Sequence, residues 1–216
     1  MPASASEDYP LFLLSLVPVV AAGLAEDTLR CVSPRLRLLA AALSSLLVVV
    51  FFELWVARVG IPLLDRAFEW APFAIAFTVF AAAGICNAFN LIDGLNGLAG
   101  GVGVLVGLGL AAVAWRAGEP AIAEVSLLLV AALLGFLILN FPGGRIFLGD
   151  AGAYALGHLL AWVSIALMAR SEAVSPWAII LLFFWPVADT FLAIYRRRRG
   201  RRPADQPDRM HFHQLV

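Results

Sequence analysis

An all-α, polytopic integral membrane protein of about seven transmembrane helices is the fold class this sequence predicts, and three observations carry it. Hydrophobic residues make up 62% of the 216-residue chain and charged residues 14%, against roughly half and a quarter in a soluble domain. The mean hydropathy is +0.91, too apolar for a disordered chain and leaving too little polar surface to coat a soluble globule. The apolar residues run continuously and do not alternate, which favours helices over the strands of a transmembrane barrel.

A spanning helix needs roughly 20 mostly apolar residues, and the candidates are justified in turn. The first lies near 10–25. The preceding MPASASEDYP carries Glu7 and Asp8 and no basic residue, unlike the basic start of a signal peptide, so this run is expected to be a retained span. The second, near 38–57, holds Glu53 close to its end, where a carboxylate is expected to snorkel or find a partner. The third, near 70–88, leads into a stretch rich in Asn, Asp and Gly. The fourth, near 97–115, is lined with glycine; Gly97/Gly101 and Gly103/Gly107 have the small-xxx-small spacing that lets helices approach closely. The fifth and sixth, near 121–139 and 151–169, flank NFPGGRIFLGD. The seventh, near 175–195, contains Asp189, an acid in a span expected to pair with the arginines that follow. No repeat of fixed period is present, and residues 1–216 read as one domain.

Formal net charge is zero, with 15 basic and 15 acidic residues, every basic one an arginine. Placement matters more than the total. Eleven arginines (30, 35, 37, 145, 196–199, 201, 202 and 209) fall on one side of the expected spans and four (58, 66, 116 and 170) on the other. The positive-inside rule makes the eleven-arginine side cytoplasmic and puts the N-terminus outside. No broad basic surface exists for nucleic acid. Cys31 and Cys86 lack metal or redox spacing and read as inert apolar side chains.

The unusual polar residues collect on the cytoplasmic side. Glu26 and Asp27 end the first span. Asn87, Asn90, Asp93 and Asn96 follow the third. Asn140 and Asp150 bracket the loop after the fifth. Asp208, Arg209, His211 and His213 follow the seventh. Each has a plain alternative: hydration at the membrane edge for Glu26 and Asp27, an Asx turn for Asp93, a helix N-cap for Asp150, solvent exposure for the histidines. Four distant segments nevertheless bring carboxylates, amides and imidazoles to one face. Several carboxylates there suit Mg²⁺ held with substrate phosphates and water.

NAFNLIDGLNGLAGG, FLGDAGAYALG and DRMHFHQL, preceded by GLAEDTLRCVSPRLRLL, resemble in order the motifs of the polyprenyl-phosphate N-acetylhexosamine-1-phosphate transferases, a glycosyltransferase 4-type family. They span residues 23–215. The resemblance implies transfer of a sugar-1-phosphate, GlcNAc-1-phosphate or a related N-acetylhexosamine, from a cytoplasmic UDP-sugar to undecaprenyl or another polyprenyl phosphate, with release of UMP. The product would enter cell-wall or surface polysaccharide synthesis. It further implies Mg²⁺, or Mn²⁺ in its place, a bacterial inner-membrane location among membrane lipid, and a homodimer as the expected assembly. By motif, Asp27, Glu26 and Asp93 are the expected catalytic acids. Asp150 and Asp93 are expected at the metal. Asn87, Asn90, Asn96, Asn140, Arg209, His211 and His213 are expected at the substrates.

The sequence departs from the family pattern at Glu26 and Asn96, where aspartates are usual, at Gln214, where another histidine is frequent, and at Ala153, where serine is. The chain is short for the family, and a truncated member lacking N-terminal and C-terminal spans is expected. A non-catalytic remnant or partner subunit, a membrane transporter and a lipid phosphatidyltransferase stand as alternatives.

Overall fold

The computed structural model describes residues 5–199, which form ten helices and no strand. Five helices are long and apolar enough to cross a membrane: α3 (Pro34–Phe52), α5 (Ala71–Ile92), α6 (Leu98–Arg116), α7 (Pro120–Asn140) and α8 (Gly149–Arg170). A sixth arises if α9 (Pro176–Leu182) and α10 (Phe184–Arg199), bent by 72° at their junction, count as one span. The expected first span is divided into α1 (Ala5–Ser15) and α2 (Val17–Leu29). Pro18 has no N–H to give the ladder, and the Val19 N–H leaves it, donating to Ser44 Oγ of α3 at 3.0 Å. Between α3 and α5 lies the short α4 (Pro62–Phe68).

Helix α8 is the axis of the fold. It packs against α2 and α5 and buries Tyr154, His158, Leu160, Trp162 and Leu167. Glycine makes those approaches possible. A Cβ on Gly23 of α2 would lie 2.5 Å from Ala151 Cα, and one on Gly157 of α8 would lie 2.6 Å from Cys86 Cα. Backbone thus meets backbone on both sides of α8. Helices α6 and α7 form a hairpin. Its glycine face is Gly100, Gly103 and Gly107, set against Leu137, Leu133 and Val130. Gly101 faces open space and Gly97 is the left-handed cap of α6 (φ 82°). The small-residue stripe therefore follows the helical i, i+3, i+7 face and differs from the expected Gly97/Gly101 pair.

The Arg170 end of α8 is tied down by the segment between α3 and α4. Arg58 donates to the carbonyls of Ser171, Glu172 and Val174 at 3.4, 2.7 and 2.9 Å. The Val56 N–H donates to Thr78 Oγ1 at 2.9 Å, and Asp65 Oδ1 accepts the N–H groups of Val59 and Gly60. Glu53, exposed, closes α3 in a left-handed conformation (φ 49°). Asp189 is buried in α10 at 3% exposure.

Candidate functional site

The opposite end of α8 gathers the polar residues. Leu148 stands at the N-cap position and offers no capping side chain, so the first N–H groups of α8 need an acceptor from elsewhere. Asp27, on the last turn of α2, provides it: Oδ1 accepts the Asp150 N–H at 2.8 Å and Oδ2 accepts the Ala151 N–H at 3.1 Å. A carboxylate is favoured there by the helix dipole as well. Gly149 is left-handed (φ 63°), and a Cβ on it would lie 2.7 Å from Asp27 Oδ2. Together with Gly23, this glycine is what lets Asp27 sit over the helix end.

Asp150 is held on two sides. Asn90 Nδ2, from the end of α5, donates to its Oδ1 at 2.7 Å. The Arg37 guanidinium, from the first turns of α3, ion-pairs with its Oδ2, and both side chains are largely buried (15% and 21% exposed). One turn along α8, Tyr154 donates to Asn87 Oδ1 at 3.3 Å. Asp93 ends α5. Burial first, and the Asp27 carboxylate second, push its carboxyl up to about 6 from 3.8. Asp27, Asn87, Asn90, Asp93 and Asp150 are thus brought to one end of the bundle, as the sequence led one to expect. Arg37, Tyr154, Gly23 and Gly149 join them and had not been singled out for this site. Arg37 stood only among the arginines that orient the chain.

Glu26 and Asn140 are placed differently from the acids. Glu26 Oε2 accepts the Val32 N–H at 2.8 Å, across the turn between α2 and α3. Asn140, 4% exposed, has both polar atoms engaged by backbone: Oδ1 accepts the Gly97 N–H at 2.6 Å and Nδ2 donates to the Ile146 carbonyl at 2.8 Å. It fastens the loop before α6 to the loop before α8. Asn96, exposed, donates to the Pro142 carbonyl at 3.3 Å across the same junction. Arg209, His211 and His213 lie outside the described residues.

Among the described residues, no three His, Cys, Asp or Glu side chains form a group ready to hold a metal ion by themselves. The donor chemistry still suits a hard divalent cation completed by phosphate and water. Two carboxylates repel each other at Asp27 and Asp93, and a cation between such groups reverses the repulsion.

Two grooves lie along α6, α9 and α10. One, of about 300 Å³, is lined by Leu98, Val102, Leu105 and Val106 of α6 with Leu182 and Trp185 at the α9–α10 bend. It begins one residue beyond the Gly97 cap. A second, lined by Phe184, Trp185, Ala188, Asp189 and Leu192, continues along α10.

The model of glycosyl transferase family 4 matches residues 9–168. A probable undecaprenyl-phosphate N-acetylglucosaminyl 1-phosphate transferase of Bacillus subtilis (strain 168) is 37% identical over 155 residues, 71% of this chain and 43% of that protein. An undecaprenyl-phosphate alpha-N-acetylglucosaminyl 1-phosphate transferase of Escherichia coli (strain K12) is 28% identical over 190 residues, 86% of this chain and 52% of that protein. A decaprenyl-phosphate N-acetylglucosaminephosphotransferase of Mycobacterium tuberculosis (strain CDC 1551 / Oshkosh) is 35% identical over 180 residues, 73% of this chain and 43% of that protein. The chain spans about half the length of the curated relatives it matches. With the family model matched from α1 through most of α8, the stretch that builds both the bundle and its acid-lined end, the chain belongs to glycosyl transferase family 4.

Proposed function

We propose that the protein transfers an N-acetylhexosamine 1-phosphate, GlcNAc 1-phosphate foremost, from a UDP-sugar to undecaprenyl or another polyprenyl phosphate, on the cytoplasmic side of a bacterial inner membrane. The observation that carries this reading is the meeting of Asp27, Arg37, Asn90, Asp93 and Asp150, from four helices, at one end of α8, in a bundle that also carries an apolar groove along α6 and the α9–α10 bend. A phosphate on an isoprenoid tail needs both surfaces, one charged and one greasy. The names of the relatives supply the reaction class.

In the reaction, an oxygen of the lipid phosphate forms a bond to the phosphorus that carries the sugar. The anhydride bond to uridine monophosphate breaks, and UMP leaves with the electron pair. A lipid phosphate is already ionised near neutral pH, so the protein's task is charge and alignment more than proton removal. Asp27, fixed by two backbone N–H groups, keeps one orientation and holds the end of α8 in place. Arg37 is the cation of the described site. Its partner Asp150 holds it within reach of incoming phosphate oxygens, which guanidinium groups bind well. Asn90 fixes the other oxygen of Asp150, and Tyr154 orients Asn87. Asp93 and Asp150 would hold Mg²⁺, or Mn²⁺, whose chemistry here is to neutralise diphosphate charge and favour the departure of UMP. The isoprenoid tail lies along the groove of α6, α9 and α10.

The test is UMP release from UDP-GlcNAc by membranes carrying the protein, with and without polyprenyl phosphate and Mg²⁺. Release is expected to require both additions and to fall about 10²–10³-fold in Asp150→Asn, the scale of losing one preorganised electrostatic group. Release only with a different UDP-sugar would change the donor. Absence of release with every UDP-sugar would overturn the reading.

A further inference from the structure

The end of the bundle away from the site carries exposed tryptophans. Trp70 stands at the N-cap of α5, Trp115 in the last turn of α6 and Trp177 in the first turn of α9, and all three are exposed. The segments that build the site, residues 23–37, 87–98 and 139–152, contain no tryptophan. Exposed indoles collect at a membrane–water boundary, where the ring is apolar and the N–H is wet. Helix α4 is held at that level from both sides. Gly60, two residues before it, lies against Trp177: a Cβ there would be 3.3 Å from the indole Nε1. Trp70 follows α4 by two residues. On a helix of about 3.6 residues per turn, Leu63, Ala67, Leu64 and Phe68 form one continuous apolar arc of about 140°. The bundle covers one edge of it. Phe68 is 5% exposed, edge-on to Phe73 and Phe77 at 5.2 and 4.9 Å between ring centres. Leu64 is 47% exposed, and Leu63, at the far edge, 77%. The polar side of α4 carries Asp65, engaged by the Val59 and Gly60 N–H groups, and the exposed Arg66.

We infer that α4 is an interfacial helix whose partner is the phospholipid leaflet at the Arg170 end: Leu63 and Leu64 enter the acyl boundary and Arg66 stays among the lipid phosphates. The apolar arc is wider than the face the bundle covers, and its exposure rises steadily from Phe68 to Leu63. An arc of that kind needs a second apolar surface beside the protein. A leaflet supplies one at the level the tryptophans mark, and its phosphates suit the arginine next to Leu63. A second copy of the chain fits less well. Two leucines on a seven-residue helix offer far less than the roughly 800 Å² that each side of a stable protein interface buries, whereas a leaflet continues past the helix on every side. Anchored in this way, α4 sets the depth of the strap that carries Arg58, and with it the level at which Arg58 meets the carbonyls of Ser171, Glu172 and Val174. The inference does not depend on the function proposed above.

The experiment places a nitroxide label at Leu63→Cys or at Arg66→Cys, in the full chain with Cys31→Ser, since Cys31 is the exposed native thiol and Cys86 is buried. The proteins are held in nanodiscs of phosphatidylethanolamine and phosphatidylglycerol. Power saturation compares collisions with oxygen, which concentrates in lipid, and with a water-soluble nickel chelate. Glu172→Cys, in the exposed loop after α8, gives the water reference, and Leu128→Cys, exposed on the middle of α7, gives the lipid reference. The label at position 63 is expected to read about 5–10 Å below the phosphate level, shallower than the label at 128. The label at 66 is expected at the phosphates. Nickel collisions at 63 as frequent as at 172 would overturn the inference, because α4 would then stand in water. A label at 63 shielded from oxygen and nickel alike would overturn it too, because protein and not lipid would cover the face. Leu64→Cys repeats the reading one residue further round the arc, and it too is expected below the phosphates; a label there as open to nickel as at 172 would count against the leaflet in the same way.

Discussion

The two ends of α8 solve the same electrostatic problem in different ways. Each helix end exposes unsatisfied backbone groups and a partial charge. At the Arg170 end the guanidinium of Arg58, on the strap between α3 and α4, accommodates the carbonyls of Ser171, Glu172 and Val174. At the Asp150 end the carboxylate of Asp27, on α2, accepts two N–H groups. In both cases a charged side chain from another element engages backbone: Asp27 takes the first N–H groups of α8 itself, and Arg58 takes the carbonyls of the loop just past its last turn. The difference lies in what surrounds it. Arg58 meets neutral carbonyls, all three through one guanidinium nitrogen. Asp27 stands beside Asp93, Asp150 and Arg37, charged groups whose partners an anion or cation can replace. The first end is closed structure. The second is the candidate site, because beside the backbone-bound Asp27 it holds charges that face one another, Asp150 against Arg37 and Asp93 against Asp27.

The largest effect that tests this contrast belongs to Gly23. A Cβ there would sit 2.5 Å from Ala151 Cα and 2.8 Å from the Asp150 carbonyl carbon. Both are backbone atoms, so α2 and the start of α8 must separate. Gly23→Ala is expected to cost about 1–3 kcal/mol through overpacking. It should lower transfer per folded molecule by tenfold or more, since about 1 Å of misplacement in a site can cost up to 10²-fold. Thermal unfolding and UMP release on one preparation read both. Loss of stability with full activity would mean that the spacing of Asp27 and Asp150 is not what the site depends on.

Arg58→Ala is the matching change at the closed end, and its effect on stability is expected to be similar while its effect on activity is not. Charged hydrogen bonds contribute roughly 1.5–3 kcal/mol each to a native state, with partial replacement by water where the site is accessible; Arg58 is half-buried, so about 1–3 kcal/mol is expected in total. Transfer per folded molecule should stay within about twofold, because additivity holds for distant sites without shared partners. An activity loss on the scale of Gly23→Ala would show that the two ends of α8 are coupled and would dissolve the distinction drawn above.

The features of the fold that could be read from sequence are those that local pattern encodes. Uninterrupted apolar runs located α3, α5, α6, α7 and α8 because length and hydropathy alone define a span. The break at Leu16 was harder. Pro18 is visible, but the Val19 N–H leaves the helix only because Ser44 waits on α3. The bend at the α9–α10 junction lies close to Pro186, and again the proline is a signal whose consequence depends on packing. At the site, the carboxylates were legible because acids and amides beside spans are unusual enough to notice. Arg37 was not, since its pairing with Asp150 joins residues far apart in sequence and its position among Arg30 and Arg35 suits a topology signal equally well. Asn140 looked like a ligand for substrate in a Gly-rich setting, and the same setting needs a buried amide to tie two loops together. Composition shows that polar groups must find partners; only the fold shows which ones.

The smallest effect is expected at the remaining charge pair of the closed end. Arg170, the last residue of α8, approaches Glu119 at the tip of the α6–α7 hairpin at 3.8 Å, with its side chain 62% exposed. If that end is structural and wetted, the pair should behave as an ordinary surface ion pair. Such pairs are weak because water screens the attraction and two long side chains must be ordered to form it. Arg170→Gln is then expected to change stability by about 0.5 kcal/mol or less, with no change in transfer, and the shift should vanish on raising salt from 0.05 to about 0.5 M, as the Debye length shrinks. A loss well above about 1 kcal/mol, persisting at high salt, would place a desolvated charge network at the Arg170 end too. Balanced charge would then no longer separate the two ends of α8, and the assignment of the site would rest on Asp27, Asp93 and Asp150 themselves.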